Sequence, residues 1–259
     1  MLLNFNTVLL FAIEWNPSVN VFSVGPIDFS WYGLMYGFAL CACYGLGYLF
    51  FLKDDLPLYR LFNLSILIFI AGFIGARLGQ VLFYEPQYFL QHPLEIFKVW
   101  KGGMASHGAF IGIVTTWWWY CRRNKQFSFL WGLDKLAIMG ALIVCLMRIG
   151  NLMNSEILGK ASNLPWAFVF VQRDLTPRHP AVLYEALAYG FYFILFLGIY
   201  LKFPKMKFGW LTALFLLLLI PTRILLEIFK EDAGYTQLLS LPLVFVGGFI
   251  MLRLLKRKV

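Results

Sequence analysis

Arg77, Arg148, Arg223 and Glu227 stand inside otherwise apolar stretches of the sequence. An ionised side chain at the centre of a membrane helix costs at least ~2.5–3.5 kcal/mol on insertion scales, so each of these needs compensation. Guanidinium groups bind phosphate through planar, bidentate hydrogen bonds, and a partly dry site strengthens those bonds. The arginines therefore point to a phosphate-bearing anion. Snorkelling to the headgroup layer, or ion pairs that lock helices together, compete with that reading. The competition is closest for Arg77 and for Arg223 with Glu227, four residues apart on one helical face.

Other polar groups cluster around the same positions. Arg148, Asn151 and Ser155 follow helical spacing, with Asn154 and Glu156 beside that stripe. His107 lies in Gly102-Gly103-Met104-Ala105-Ser106-His107-Gly108, where the glycines allow a backbone or a headgroup to come close. Tyr32 opens the first apolar stretch. A histidine alone is more often structural than chemical, and the glycine-rich setting is what raises His107 to a candidate. No metal site is expected: His92, His107 and His179 lack paired ligand spacing, and Cys41, Cys43, Cys121 and Cys145 form no ligand cluster or disulfide framework. The cysteines read as buried structural thiols.

The elements that position these groups follow from composition. Of 259 residues, 61% are hydrophobic and only 14% charged, too little polar surface to coat a water-soluble globule. The net charge of +9 punctuates the apolar stretches and builds no continuous basic groove, so nucleic acid is not expected as a partner. Charges and turn residues leave about seven apolar segments: Phe29 to Leu52, Leu61 to Tyr84, Met104 to Cys121, Leu136 to Met153, Ala181 to Leu201, Phe208 to Phe229 and Leu238 to Leu252. Their lengths suit membrane helices rather than the ~10-residue strands of an outer-membrane barrel.

The expected fold is thus an all-α polytopic membrane protein in one transmembrane domain, with external loops. Lys53 and Arg60, Arg122, Arg123 and Lys125, Lys202, Lys205 and Lys207, and Arg253 with Lys256, Arg257 and Lys258 mark the cytoplasmic ends. That places the N-terminus outside, the C-terminus in the cytoplasm, and Arg77, Arg148 and Arg223 in the outer halves of their spans. The stretch Met1 to Asn20 lacks a basic n-region and a cleavage pattern, and is expected along the membrane surface. Gly33 with Gly37, Gly75 with Gly79 and Gly108 with Gly112 have the spacing that lets helices approach closely. The run Trp117 to Tyr120 reads as an interfacial aromatic belt. An anionic phospholipid headgroup fits guanidinium chemistry at this depth and needs no path from bulk water.

Several motifs, in order over nearly the whole chain, resemble the phosphatidylglycerol-prolipoprotein diacylglyceryl transferase family. They are Gly25-Pro26 before Ser30-Trp31-Tyr32-Gly33-Leu34-Met35-Tyr36, Gly75-Ala76-Arg77-Leu78-Gly79 with Phe83-Tyr84, and the His107 segment. Arg148-Ile149-Gly150-Asn151-Leu152-Met153-Asn154-Ser155-Glu156 with Gly159 follows, then Arg178-His179-Pro180 with Leu183-Tyr184-Glu185, and Arg223 with Glu227. The resemblance implies a multi-pass protein of the bacterial inner membrane that moves a diacylglyceryl group from phosphatidylglycerol to the lipobox cysteine of a prolipoprotein. The product is a thioether, glycerol phosphate is released, and no soluble cofactor takes part. By position it implies roles for Tyr32, His107, Arg148, Asn151, Glu156, Gly159 and Arg223, and more weakly for Arg77 and Asn154. Many members carry Gly where this chain has Ser155, and some carry Tyr at the position of Leu219.

A cysteine thiol with a pKa near ~8.5 is mostly protonated at neutral pH, so attack on the lipid's glycerol carbon benefits from a base. His107 is the candidate, with Glu156 or a water as alternatives. Arg148 and Arg223 would stabilise the leaving phosphate, Asn151 and Glu156 would orient the headgroup or an arginine, and Tyr32 would donate a hydrogen bond to the lipid. Transport of an anionic solute and a scaffold role are the rival classes; the first would call for midplane polar groups and repeated halves, and no internal repeat is visible.

Overall fold

The computed structural model describes residues 12–232 and 240–256. The start of the opening stretch, Leu238 at the start of the last expected segment, Arg257 and Lys258 lie outside the described residues. Mean hydropathy and length qualify five helices as able to cross a membrane: α1 (Trp31–Lys53), α2 (Tyr59–Tyr84), α5 (Phe129–Met153), α6 (Ala181–Lys202) and α7 (Trp210–Phe229). Between α2 and α5 lie the short α3 (Pro86–Gln91) and α4 (Ser106–Arg123). After α7 comes α8 (Leu241–Lys256).

The all-α expectation needs one correction, because two small sheets stand among the helices. Strands β1 (Ile13–Trp15), β4 (Phe168–Phe170) and β5 (Pro177–Arg178) form a three-stranded sheet in the order β1-β4-β5, parallel then antiparallel. Strands β2 (Asn20–Val24) and β3 (Ile27–Ser30) form a hairpin leading into α1. These strands are five residues or fewer and, apart from the end of β3, lie outside the apolar stretches, so hydrophobic periodicity gave them no signal.

The chain packs as two compact units, Tyr44–Leu133 and the remainder, Met1–Cys43 with Asp134–Val259. In the smaller unit, α2 and α4 meet along glycines. A Cβ on Gly75 would stand 2.4 Å from the Gly108 carbonyl oxygen, and one on Gly112 2.4 Å from that of Ala71. These backbones touch because nothing larger than hydrogen separates them. Gly37 does not share this role, since a Cβ there meets nothing within 4 Å. The aromatic run at the end of α4 divides: Trp118 and Trp119 are exposed beneath Arg122 and Arg123, whereas Trp117 is buried against Phe127 and Trp131 and donates to the Phe129 carbonyl. Only part of that run is therefore free to serve as a belt.

In the larger unit, the sheet closes over the end of α5. Leu152, Phe168, Phe170 and Val182 form a buried cluster, and Trp15 Nε1 donates to the Leu152 carbonyl at 2.9 Å. The start of α5 is fixed as firmly. Asp134 accepts from Gly209 N, Thr212 N and Thr212 Oγ1 at 2.7, 2.8 and 2.7 Å. A carboxylate on α5 thus satisfies the otherwise orphaned amides at the start of α7, with Gly209 in the left-handed region at φ 106°. Neighbouring Lys135 lies 3.5 Å from the ring centre of Tyr200 on α6.

Candidate active site

In the larger unit the expected site residues converge at the end of α5. Arg148 Nη1 donates to Asn151 Oδ1 at 3.0 Å, Asn151 Nδ2 donates to Glu156 Oε2 at 2.7 Å, and Asn154 Nδ2 donates to Glu156 Oε1 at 3.2 Å. Arg148 and Asn151 of the polar stripe thus form one chain of hydrogen bonds with the flanking Asn154 and Glu156, a chain the buried Ser155 hydroxyl does not join. It is closed by the chain reversal after α5, where Glu156 N donates to the Asn151 carbonyl and both Ser155 and Ile157 adopt positive φ.

Tyr32 reaches this chain because Gly150 on α5 is bare: a Cβ there would lie 3.1 Å from the Tyr32 Cα. The charges of Glu156 and Arg148 both act on the Tyr32 hydroxyl. Gly159 has an equally strict reason to lack a side chain, since a Cβ would sit 2.0 Å from the His179 carbonyl oxygen. Its own carbonyl accepts from Arg178 Nη1 at 3.0 Å. Arg178 also grips Asp174 through Nε and Nη2 and pairs with Glu231, which holds the Asp174 carboxyl below its usual range. Burial pushes the nearby His179 imidazole below its usual value.

Beneath Arg148 lies a buried charge network that the sequence reading did not anticipate. Glu185 on α6 is fully buried; its Oε2 lies 2.8 Å from Arg148 Nε and its Oε1 2.9 Å from Lys230 Nζ. Lys230 reaches in turn to Glu227 Oε2 at 2.9 Å. The signal for Glu185 was present: a carboxylate inside the apolar stretch Ala181 to Leu201 obeys the same rule that singled out the arginines. Lys230 gave no such signal, because it lies beyond the last apolar residue and reads as a loop charge. Arg223 lies on α7, and its charge and that of Arg148 both act on the Tyr189 hydroxyl, placing both arginines within electrostatic reach of one buried side chain.

Arg77 and His107 belong to the smaller unit. Arg77 donates to the carbonyls of Ile96, Gly102, Gly103 and Glu95 at 2.8, 2.8, 3.0 and 2.6 Å, and its guanidinium stacks 5.1 Å from the Phe89 ring centre. Four of its five N–H groups are thereby committed to backbone. Those bonds anchor the connection into α4, on whose first turn His107 sits. Gly102 and Gly103 take positive φ there, and a Cβ on Gly103 would press to 3.1 Å from Arg77 Nη1. Gly102 and Gly103 are thus tied to the arginine clamp, whereas Gly108 is bare because a Cβ there would stand 2.2 Å from the Gly75 carbonyl oxygen.

The sequence model of prolipoprotein diacylglyceryl transferases matches residues 19–253, a stretch that includes every candidate residue above. This chain belongs to that family. Among similar proteins, the phosphatidylglycerol–prolipoprotein diacylglyceryl transferase of Tolumonas auensis is 39% identical over 253 residues, covering 94% of this chain and 98% of its own. Those of Chloroherpeton thalassium and Bacteroides fragilis are 39% and 33% identical, covering 95% and 96% of this chain and 95% and 98% of their own. The family match runs from the β2-β3 hairpin into α8, so it takes in both units of the fold.

Proposed function

We infer that this chain transfers the diacylglyceryl group of phosphatidylglycerol to the lipobox cysteine of prolipoproteins in the bacterial inner membrane, with seven spans, an outer N-terminus and a cytoplasmic C-terminus. The observation that carries the phosphate-binding part is Arg148. Its Nε and Nη1 are engaged by Glu185 and Asn151, while Nη2 meets no protein acceptor among the described residues. A membrane arginine oriented through Nε and Nη1 and open at Nη2 is prepared for an anion.

In the reaction, the cysteine sulfur attacks the glycerol carbon that bears the phosphate ester. The S–C bond forms, the C–O bond breaks, and its electron pair leaves on the phosphate oxygen as glycerol phosphate. Arg148 and Arg223 offer that oxygen charge-assisted hydrogen bonds worth ~1.5–3 kcal/mol each. Asn151, backed by Glu156 and Asn154, orients Arg148 toward the headgroup, Tyr32 donates to the lipid, and Gly159 keeps the loop beneath them closed. His107 takes the thiol proton, and Arg77 supports it by fixing the preceding connection. Glu227 contributes through Lys230.

Support for the seven-span arrangement comes from α4 and α8, two further helices that fall on the remaining expected segments, and from basic residues at alternate helix ends. Incubating the purified protein with phosphatidylglycerol labelled in its acyl chains and a lipobox peptide tests the reading. Label should pass to the peptide in a thioether-stable adduct; counterflow of a solute without lipid consumption would overturn it.

A further inference from the structure

We propose that Glu185 and Lys230 are positioning residues for phospholipid binding, which together keep Arg148 oriented yet incompletely neutralised. This rests on the reading of Arg148 as a phosphate-binding group. Glu185 is fully buried, so its charge must be matched inside the protein. Were Arg148 its sole cation, the two would close on each other and little attraction would remain for a lipid phosphate. The structure gives the carboxylate a second cation instead, Lys230 Nζ at 2.9 Å from Oε1.

Lys230 is itself buried and spans two carboxylates, Glu185 and Glu227, at 2.9 Å each. A lysine suits this position, being a compact charge with three donors. The result is an alternating line, Arg148, Glu185, Lys230, Glu227, running from α5 through α6 to the end of α7. The Arg148 contact has a further feature: Nε approaches Oε2 to 2.8 Å off the hydrogen-bond axis, so the oxygen has charge attraction but no aligned donor. Glu185 steers the guanidinium without consuming its outward edge.

The test uses the full-length protein in phosphatidylglycerol-containing detergent micelles with a lipobox peptide, comparing Lys230→Met, Lys230→Arg and the double variant Glu185→Gln/Lys230→Met. Lys230→Met should raise KM for phosphatidylglycerol about tenfold, leave KM for the peptide unchanged, and be rescued to within about threefold by Lys230→Arg. The double variant removes both charges of the Glu185–Lys230 pair, so it should fold where Lys230→Met does not. It should bind phosphatidylglycerol more tightly than Lys230→Met and several-fold more weakly than wild type. A lipid KM equal to wild type in Lys230→Met, or in the double variant where the single one does not fold, would overturn the inference. So would equal rises in lipid and peptide KM. Absence of transfer by the wild-type protein would instead overturn the assigned reaction, which keeps the two failures apart.

Discussion

Glu185 Oε2 lies 2.8 Å from Arg148 Nε, and Asn151 Oδ1 lies 3.0 Å from Arg148 Nη1, so two different edges of one guanidinium are fixed by groups on two helices. Lysine at this position would keep the charge and lose the fork. Arg148→Lys should therefore lower kcat/KM for diacylglyceryl transfer by roughly a hundredfold or more, a loss of the size seen when a transition-state donor is removed. Near-normal transfer by this variant, measured with labelled lipid, would make Arg148 a structural arginine.

His107 is assigned the thiol proton, and a positioned base contributes ~10²–10⁴ in rate. His107→Gln keeps the size and hydrogen-bonding capacity of the side chain and abolishes its basicity. We expect kcat to fall within that range while phosphatidylglycerol affinity, read by lipid titration, stays near wild type. Turnover close to wild type at unchanged affinity removes His107 as the base.

Ser155 combines φ 51° with a buried hydroxyl that has no hydrogen-bond partner. Both features cost free energy, since a Cβ is unfavourable in the left-handed region and an unsatisfied buried hydroxyl costs about 1–3 kcal/mol. Ser155→Gly relieves both and should raise the thermal midpoint in detergent. A lower midpoint would show that the hydroxyl has a role in holding the reversal after α5.

Glu95 bonds Lys101 and Lys98 at 2.8 and 2.5 Å, and those partners hold its carboxyl at about 2 instead of the ordinary 4.5. The native state thus favours the ionised form, and as pH falls the unfolded chain takes the proton first. Its contribution to stability is complete above the ordinary value and disappears between pH 4.5 and about 2. Because the pair is open to solvent, the effect should shrink in high salt. In thermal unfolding scans across that window, Glu95→Gln should flatten the acid dependence, and an unchanged slope would contradict the assignment.

Much of this was legible in the amino-acid order, for identifiable reasons. Membrane helices declare themselves by long apolar runs, and α1, α2, α5, α6 and α7 begin and end close to where charges and turn residues interrupt those runs. Arg148 and Asn151 were visible as neighbours because a helix repeats its faces at fixed spacing, while Asn154 and Glu156, read as lying beside that stripe, join it through the reversal after α5. The Glu185–Lys230 contact was not, since it joins residues 45 positions apart on separate elements and no local pattern encodes it. Arg77 shows a different limit: burial of a charge predicts that a partner exists and says nothing about whether the partner is lipid or the chain's own carbonyls. The β1-β4 pairing was hidden because a strand of three residues carries no usable periodicity.

Helix α5 bears Asp134 near its beginning and Arg148 near its end, 14 residues apart, or about 21 Å along the axis at 1.5 Å per residue. The carboxylate at one extremity is pinned by three hydrogen bonds to the start of α7, and the guanidinium at the other is tethered to α6 and to the following turn. Such a rod is bolted at both tips and resists travel along its own length. Room for an arriving lipid must come from lateral give in less constrained pieces of chain, and the arginine can serve as a fixed post against which the incoming headgroup is aligned.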